Sequence, residues 1–265
     1  MPLDLLIAVF FFLIGLEIRA GIKDARTAVV PIVAALGGMI CPAVIYLLLN
    51  PGSHVWATSM PTDIALALGV LSLLGKRVNS NVRVFLLTLA IADDFFSLLI
   101  LGIFYGDDLH PAKAISTLGA AAIGLLIPLR QHYLAKIIKI LTPISTYIIV
   151  PVIIILNIPF NIDVSSFGSK TTISLVLARS IGKLIGITLF AWLCIKLGAQ
   201  RHLSMREIAG VATLAGMGLT VALVIGEIVA TSSSELDQVR LGLFLSAIIS
   251  GITGYIWLRK TPAQQ

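Results

Sequence analysis

Residues 84–105 have the sequence VFLLTLAIADDFFSLLILGIFY, an apolar run with two adjacent acids, Asp93 and Asp94, at its centre. A helix needs roughly 20 residues to cross the hydrocarbon core of a bilayer, and residues 27–50 form another run of that length. In lipid, only helices and closed barrels satisfy their own backbone hydrogen bonds. Because these runs are continuous rather than alternating, they predict an all-α integral membrane protein, a multi-span helical bundle.

The composition of the whole chain supports this class. Of its 265 residues, 58% are hydrophobic and 12% are charged, and the mean hydropathy is +1.02. A soluble domain usually has about twice that charged share. The net charge of +6 has no soluble basic face or RNA-stacking module to present it, so we expect membrane lipid, and no nucleic acid, as a partner. There is also no phosphate loop, nucleophile triad or zinc motif, so an enzyme is not expected.

The apolar runs predict nine spans in a single membrane domain covering residues 1–265. Their approximate bounds are residues 2–19, 27–49, 57–75, 83–105, 111–129, 137–158, 171–195, 205–230 and 237–258. Most of the 19 Lys and Arg residues fall in alternate connections between these spans. Since cytoplasmic loops collect Lys and Arg, the pattern predicts a cytoplasmic C-terminus and an external N-terminus.

Four charged residues fall well inside predicted spans: Asp63, Asp93, Asp94 and Lys183. Each costs about 2.5–3.5 kcal/mol on insertion scales and is by default a functional candidate. The alternative is that they form buried ion pairs that only hold the bundle together. One lysine cannot neutralise two neighbouring carboxylates, whose oxygens are natural ligands for a hard cation and whose titration is coupled. The pair Asp93-Asp94 therefore suits reversible binding of a proton or a sodium ion.

Two predicted spans contain helix breakers. Residues 60–63, Met-Pro-Thr-Asp, interrupt the third span, and residues 216–220, Gly-Met-Gly-Leu-Thr, interrupt the eighth. Proline removes a helix hydrogen bond and glycine loosens the turn. The breaks occupy the middle span of a three-span group near each end of the chain. Paired broken helices at corresponding positions indicate a transporter site built from inverted repeats.

Five stretches of the chain resemble the NhaA family of sodium/proton antiporters. They are residues 8–17 (AVFFFLIGLE), 61–69 (PTDIALALG), 89–94 (LAIADD), 181–187 (IGKLIGI) and 216–220 (GMGLT). The resemblance implies two inverted three-helix repeats with paired discontinuous helices. The repeats would cover about residues 27–106 and 171–258, and the interface helices about residues 2–19 and 111–158.

The resemblance also implies roles for the acidic pair and its neighbours. Asp93 and Asp94 would bind the ion and the proton, with Asp94 the main Na⁺ ligand and Thr62 lining the site. Lys183 would pair with Asp93 and offset the negative C-terminal ends of the broken helices, which carry about half an elementary charge each. Asp63 would offset the opposing positive N-terminal ends.

Three further residues receive roles from the resemblance. Thr220 would mark the second break, and Glu17 and Arg19 would belong to the pH response. Two charges have no family counterpart, Arg179 and Glu227. We expect both to snorkel toward an interface, although Arg179 lies one turn before Lys183 and could instead compete for Asp93.

The implied function is secondary active transport that exchanges cytoplasmic Na⁺ or Li⁺ for external H⁺ in pH and sodium homeostasis. The implied location is the bacterial inner membrane, and no cofactor is expected beyond the transported ions. Family members usually have twelve spans. The first family helix, two central helices after residues 106–109 and the dimer hairpin have no counterpart here, which puts the family homodimer in question.

Two alternatives remain open at this point. A transport-incompetent truncated homologue, or a structural subunit that folds without exchanging ions, would share every motif. A retinal photoreceptor would also use an intramembrane lysine with acidic counter-ions. It is disfavoured because Lys183 lies in the seventh of nine predicted spans with few aromatic residues nearby.

Overall fold

The computed structural model describes residues 2–21, 25–75, 78–105, 119–128, 130–149, 151–152, 155 and 164–261. The described residues form helices joined by short connections. The α-helices are α1 Pro2–Gly21, α2 Ala25–Leu49, α3 Ile64–Leu73, α4 Ser80–Phe104, α5 Ala120–Leu126, α6 Gln131–Ile144, α7 Lys170–Leu177, α8 Lys183–Lys196, α9 Met205–Leu214, α10 Thr220–Val229 and α11 Ser233–Lys260. Two short 3-10 helices, His54–Ser59 and Val164–Gly168, and two π-helical turns, Ser145–Ile149 and Ala178–Gly182, accompany them.

Among the described residues, five helical stretches are long and apolar enough to cross a membrane. They are Ala28–Leu49, His54–Leu73, Ser80–Phe104, Lys170–Lys196 and Ser233–Lys260, and Thr220–Val229 is a shorter apolar helix. The prediction of a multi-span helical membrane protein is therefore confirmed. Much of the predicted span at residues 111–129 lies outside the described residues. The next predicted span, residues 137–158, begins earlier in the structure because α6 starts at Gln131.

The chain divides into two compact units. The first comprises residues 1–25 and 98–158, and the second comprises residues 26–97 and 159–265. In the first unit α1 packs closely on α5: a Cβ atom added at Gly15 would meet the Ala121 carbonyl, and one at Gly124 would meet the Phe12 carbonyl. Small residues at such crossings let helix backbones approach closely in membranes. The predicted repeat bounds and interface helices remain predictions.

The second unit repeats one order of elements: a helix, a broken helix and a helix. In the first set α2 is followed by the 3-10 helix His54–Ser59, the irregular residues 60–63 and α3, and then by α4. In the second set α7 and α8 form one span through the π-helical turn Ala178–Gly182, followed by α9 and α10, which are interrupted at residues 215–219, and by α11. The predicted pair of discontinuous helices is thus present.

Helix α8 is held against α2 at a close backbone crossing in the second unit. A Cβ atom at Gly186 would meet the Gly37 carbonyl, and one at Gly37 would meet the Gly186 carbonyl. The buried apolar residues around this crossing form one cluster drawn from α2, α3, α4, α8, α9 and α11. Because this packing fixes the depth of α8, it also fixes the position of Lys183 at the start of that helix.

Candidate functional site

The two breaks meet at Asp63. Its backbone N–H donates to the Met217 carbonyl at 2.7 Å, which joins the first break to the second. Its carboxylate caps α3 by accepting from the Leu66 N–H at 3.2 Å. The same carboxylate accepts from the hydroxyl of Thr220 at 2.8 Å and from its N–H at 3.3 Å. One buried carboxylate therefore lies at the N-terminal ends of both α3 and α10, where the helix dipole favours negative charge.

The carbonyl groups of both breaks meet at Arg179. Its side chain is fully buried, and Nη1 donates to the Thr58 carbonyl and Nη2 to the Pro61 carbonyl, each at 2.6 Å. Nε donates to the Gly216 carbonyl in the second break at 3.3 Å. The expectation that Arg179 snorkels toward an interface is wrong, because the breaks leave inward-facing carbonyls that bind the guanidinium. Its hydrogen bonds all go to carbonyls, so it does not take Asp93 from Lys183 either.

Lys183, Thr62 and Asp93 form a triangle of short contacts. Lys183 Nζ lies 2.8 Å from Asp93 Oδ2 and 2.6 Å from Thr62 Oγ1, and Thr62 Oγ1 lies 2.6 Å from the same Asp93 oxygen. The Thr62 hydroxyl also lies 3.0 Å from the Ala215 carbonyl, so its single proton can go to either acceptor. All three side chains are 1% exposed or less. The triangle joins α8, the first break and α4.

Two further oxygen atoms on α4 have no hydrogen-bond partner among the described residues. They are Asp93 Oδ1 and Ser97 Oγ, and both belong to buried side chains. Residues four apart on a helix share a face, and Asp94, also buried, lies between them in the sequence. Sequence reasoning missed Ser97, although its spacing from Asp93 was a usable signal. Oxygen atoms of these kinds are the ones that coordinate hard cations.

The described residues at the breaks include five buried charged side chains. Three are acids, Asp63, Asp93 and Asp94, and two are bases, Arg179 and Lys183. Asp63 lies at helix N-terminal ends and Arg179 lies at backbone carbonyls, whereas Asp93 and Asp94 lie side by side on α4 with Lys183 bound to Asp93.

The resemblance also predicts roles for Thr220, Arg19 and Glu17. Thr220 contacts Asp63 rather than Asp93. Arg19 lies on α1 in the first unit and is partly buried. Glu17 belongs to the same helix, but its side chain lies outside the described residues. Glu227, the other charge without a family counterpart, is partly exposed and lies 3.8 Å from Arg240.

Comparison with known proteins gives a consistent result. The family model described as Na⁺/H⁺ antiporter 1 matches residues 3–131 and 112–258 of this chain. The chain is 31% identical to the Na⁺/H⁺ antiporter NhaA of Bordetella parapertussis over 327 residues, covering 98% of this chain and 81% of that relative. It is 33% identical to the antiporter of the same name from Nitrobacter hamburgensis over 323 residues, covering 98% and 79%.

A third relative, the Na⁺/H⁺ antiporter NhaA of Salmonella arizonae, is 31% identical over 318 residues, covering 97% of this chain and 82% of its own length. Each of these alignments is longer than the 265 residues of the chain. Stretches of each relative therefore have no counterpart here. The two overlapping matches of the family model fit a gap near residues 112–131.

Proposed function

Since the chain belongs to the Na⁺/H⁺ antiporter 1 family, we propose that it is a secondary active transporter that exchanges Na⁺ or Li⁺ for H⁺ through Asp93 and Asp94. The observation that carries the proposal is the burial of two adjacent acids, Asp93 and Asp94, on α4 beside the Lys183–Asp93 ion pair. Two neighbouring carboxylates are costly to bury while both are ionised. A proton or a metal ion bound at the pair offsets that cost.

The ligand set follows from the atoms that remain available. Lys183 occupies Oδ2 of Asp93, while Oδ1 has no hydrogen-bond partner among the described residues. The proposed Na⁺ ligands are the carboxylates of Asp94 and Asp93 with the Thr62 hydroxyl. We add Ser97, whose buried hydroxyl is one turn beyond Asp93 on α4.

Competition at these oxygens couples the two ions. Two neighbouring carboxylates titrate as a pair, and a proton on the pair removes the charge that attracts Na⁺. Sodium binding therefore requires proton release, and proton uptake expels sodium. If the site opens to one side of the membrane at a time, this exclusion is sufficient for exchange. The interrupted helices help to form the ion site, because helix ends rather than continuous helical backbone surround it.

The proposed direction of exchange is cytoplasmic Na⁺ outward and external H⁺ inward, across the bacterial inner membrane. The distribution of Lys and Arg supports a cytoplasmic C-terminus and an external N-terminus. The proposed activity moves ions without a covalent reaction. The pH response through Glu17 and Arg19 and the family homodimer remain predictions.

Transport by the purified chain in proteoliposomes tests the proposal. Vesicles with a trapped pH indicator and an imposed proton gradient receive a pulse of Na⁺, and the expected result is a Na⁺-dependent change of internal pH. Asp94→Asn is expected to lower the rate by about 100-fold or more, because it removes one carboxylate of the proposed ion-binding pair. The matched control is Asp237→Asn, which makes the same change at a partly exposed residue of α11.

A wild-type chain that folds but exchanges no Na⁺ would favour the transport-incompetent alternative. Full activity in Asp94→Asn would contradict the assignment of the site while leaving exchange itself intact. The two results are distinguishable because the first concerns the wild type and the second only the variant.

A further inference from the structure

Resting on the proposed function, we propose that Arg179 is a positioning residue that holds the carbonyl ends of both breaks, so that Lys183 serves Asp93 alone. The resemblance to the family implies two tasks for Lys183, which are to pair with Asp93 and to offset the carbonyl ends of the broken helices. In this structure the tasks fall to two side chains four residues apart on one span, Arg179 and Lys183. A π-helical turn, a rare element often found at functional sites, joins them.

The contacts of Arg179 support the first part of the proposal, which is that this residue holds the carbonyl ends of both breaks. Its three hydrogen bonds reach the Thr58 carbonyl in the 3-10 helix that leads into the first break, the Pro61 carbonyl in that break and the Gly216 carbonyl in the second break. Backbone carbonyls at helix C-terminal ends carry partial negative charge and need donors when they are buried. A guanidinium supplies five N–H donors in a fixed planar fork and stays protonated in proteins. It is therefore a permanent cross-link between the breaks.

Glycines make room for this cross-link. A Cβ atom at Gly218 would collide with Arg179 Nη2 and with the Pro61 carbonyl, and one at Gly216 would collide with the Ser250 side chain. The glycines of the second break thus do more than interrupt a helix. Gly218 lets the guanidinium lie between the two breaks, and Gly216 lets the second break pack against Ser250 of α11.

The contacts of Lys183 support the second part of the proposal, which is that this residue serves Asp93 alone. Its ammonium contacts Asp93 Oδ2 and Thr62 Oγ1, and no carbonyl is among its hydrogen-bond acceptors in the described residues. An ammonium on a flexible stem can leave one acceptor for another, whereas a guanidinium held by three carbonyls cannot. The Lys183–Asp93 pair is therefore the contact that can open when Na⁺ binds, while Arg179 keeps its three hydrogen bonds to backbone carbonyls.

Replacing Arg179 and replacing Lys183 should have different effects on thermal stability. Without the guanidinium, three buried carbonyls lose their donor, and the Lys183 ammonium becomes the nearest replacement. Arg179→Met is expected to lower the midpoint of thermal unfolding by about 10 °C. Lys183→Met leaves the carbonyls satisfied, and Asp93 can take up a proton in place of the ammonium, so this variant is expected to lower the midpoint by less. Equal losses, or a larger loss for Lys183→Met, would overturn the inference, and this comparison needs no transport.

Two milder variants test whether Arg179 acts on the ion site. Arg179→Lys keeps the charge but not the fork, and Gly218→Ala pushes the guanidinium away while keeping Arg179 itself. Both are expected to raise the apparent KM for Na⁺ by about fivefold or more, because Lys183 is then shared between Asp93 and the carbonyls. The matched control is Arg201→Lys at an exposed residue that donates to the Leu203 carbonyl, and its KM should not change.

Each outcome decides the inference. An unchanged KM in both Arg179→Lys and Gly218→Ala would overturn it, whatever the stability of Arg179→Met. A wild-type chain without exchange would refute the proposed function, and the order of the two unfolding midpoints would still test the division of tasks between Arg179 and Lys183.

Discussion

At the scale of single residues, the site depends on side chains that each serve more than one segment. Asp63 caps α3 and also accepts two hydrogen bonds from Thr220 at the start of α10. Thr62 contacts Lys183, Asp93 and the Ala215 carbonyl. Substitutions here therefore disturb two helices at once, so stability and transport must be measured separately for every variant.

Asp63 is expected to show a graded loss of stability. Asp63→Ala removes a helix cap and the charge-assisted bonds to Thr220, and should lower the unfolding free energy by about 3 kcal/mol. Asp63→Asn keeps a capping oxygen and should lose roughly half as much. Thermal unfolding in detergent checks the order of the two variants. An Ala variant as stable as the wild type would contradict the role of Asp63 at both breaks.

Ser97 offers a test of the ligand set that leaves stability almost untouched. Its hydroxyl has no hydrogen-bond partner among the described residues, so Ser97→Ala breaks no bond that the structure contains. We expect the apparent KM for Na⁺ to rise by about threefold to tenfold with little change in the maximal rate. The control is Ser72→Ala, at a hydroxyl that donates to the Gly69 carbonyl on an exposed surface. If both variants had wild-type KM values, Ser97 would not be a ligand.

At the scale of elements, close helix crossings set the position of the charged residues. Helix α8 approaches α2 through Gly186 and Gly37, and α8 carries Lys183 at its first position. In a membrane, small residues at such crossings allow the van der Waals packing that replaces the hydrophobic effect between helices. The depth of Lys183 thus depends on the contact of Gly186, about one turn further along α8, with Gly37 of α2.

A pair of Gly→Ala variants tests this dependence. At Gly186 the new methyl group would meet the Gly37 carbonyl and the Cys41 side chain, whereas at Gly69 on α3 nothing lies within 4 Å. Gly186→Ala should lower the unfolding free energy by about 1–3 kcal/mol and slow exchange. Gly69→Ala should be neutral or raise stability by about 0.5–1 kcal/mol, because it reduces the freedom of the unfolded chain. The reverse order would contradict the crossing described here.

The elements also show what sequence reasoning could and could not achieve. Long apolar runs predict the spans because they are far longer than a soluble core helix requires. Pro61 and the pair Gly216 and Gly218 predict both breaks through backbone chemistry alone. The start of α6 at Gln131 was missed because polar residues continue a helix beyond its apolar part. Hydropathy does not report that extension.

Arg179 was misjudged for a different reason. A lone arginine inside a span has two readings, snorkelling or pairing with an acid, and neither includes backbone carbonyls as partners. Those carbonyls become available only where two breaks distant in sequence come together, as the Asp63–Met217 contact shows. The meeting of the two breaks depends on the tertiary structure, so no local sequence pattern predicts it. The acidic pair, by contrast, was predictable because two adjacent acids inside an apolar run are costly in any fold.

At the scale of the whole molecule, the proposed exchange depends on buried charge. Three buried acids and two buried bases lie at the breaks in the described part of the second unit, and we propose that a proton or Na⁺ from solution adds positive charge at Asp93 and Asp94. Protons and Na⁺ compete for that place. The apparent KM for Na⁺ should therefore rise as the pH falls, by up to roughly tenfold per pH unit for each proton that must leave.

Initial rates of exchange at several pH values check this dependence, with choline replacing Na⁺ to hold the ionic strength constant. A maximal rate that falls with pH while KM stays constant would show that protons act elsewhere than at the Na⁺ site. The dependence should disappear together with exchange in Asp94→Asn.

The most direct test of the central claim is the number of protons released when Na⁺ binds. Isothermal titration calorimetry of the detergent-solubilised chain, in two buffers with different ionisation enthalpies, measures that number at each pH. If Na⁺ and protons compete for Asp93 and Asp94, Na⁺ binding releases protons over the pH range of exchange, and Asp94→Asn abolishes both binding and release. Sodium binding with no proton release at any of these pH values would contradict that competition.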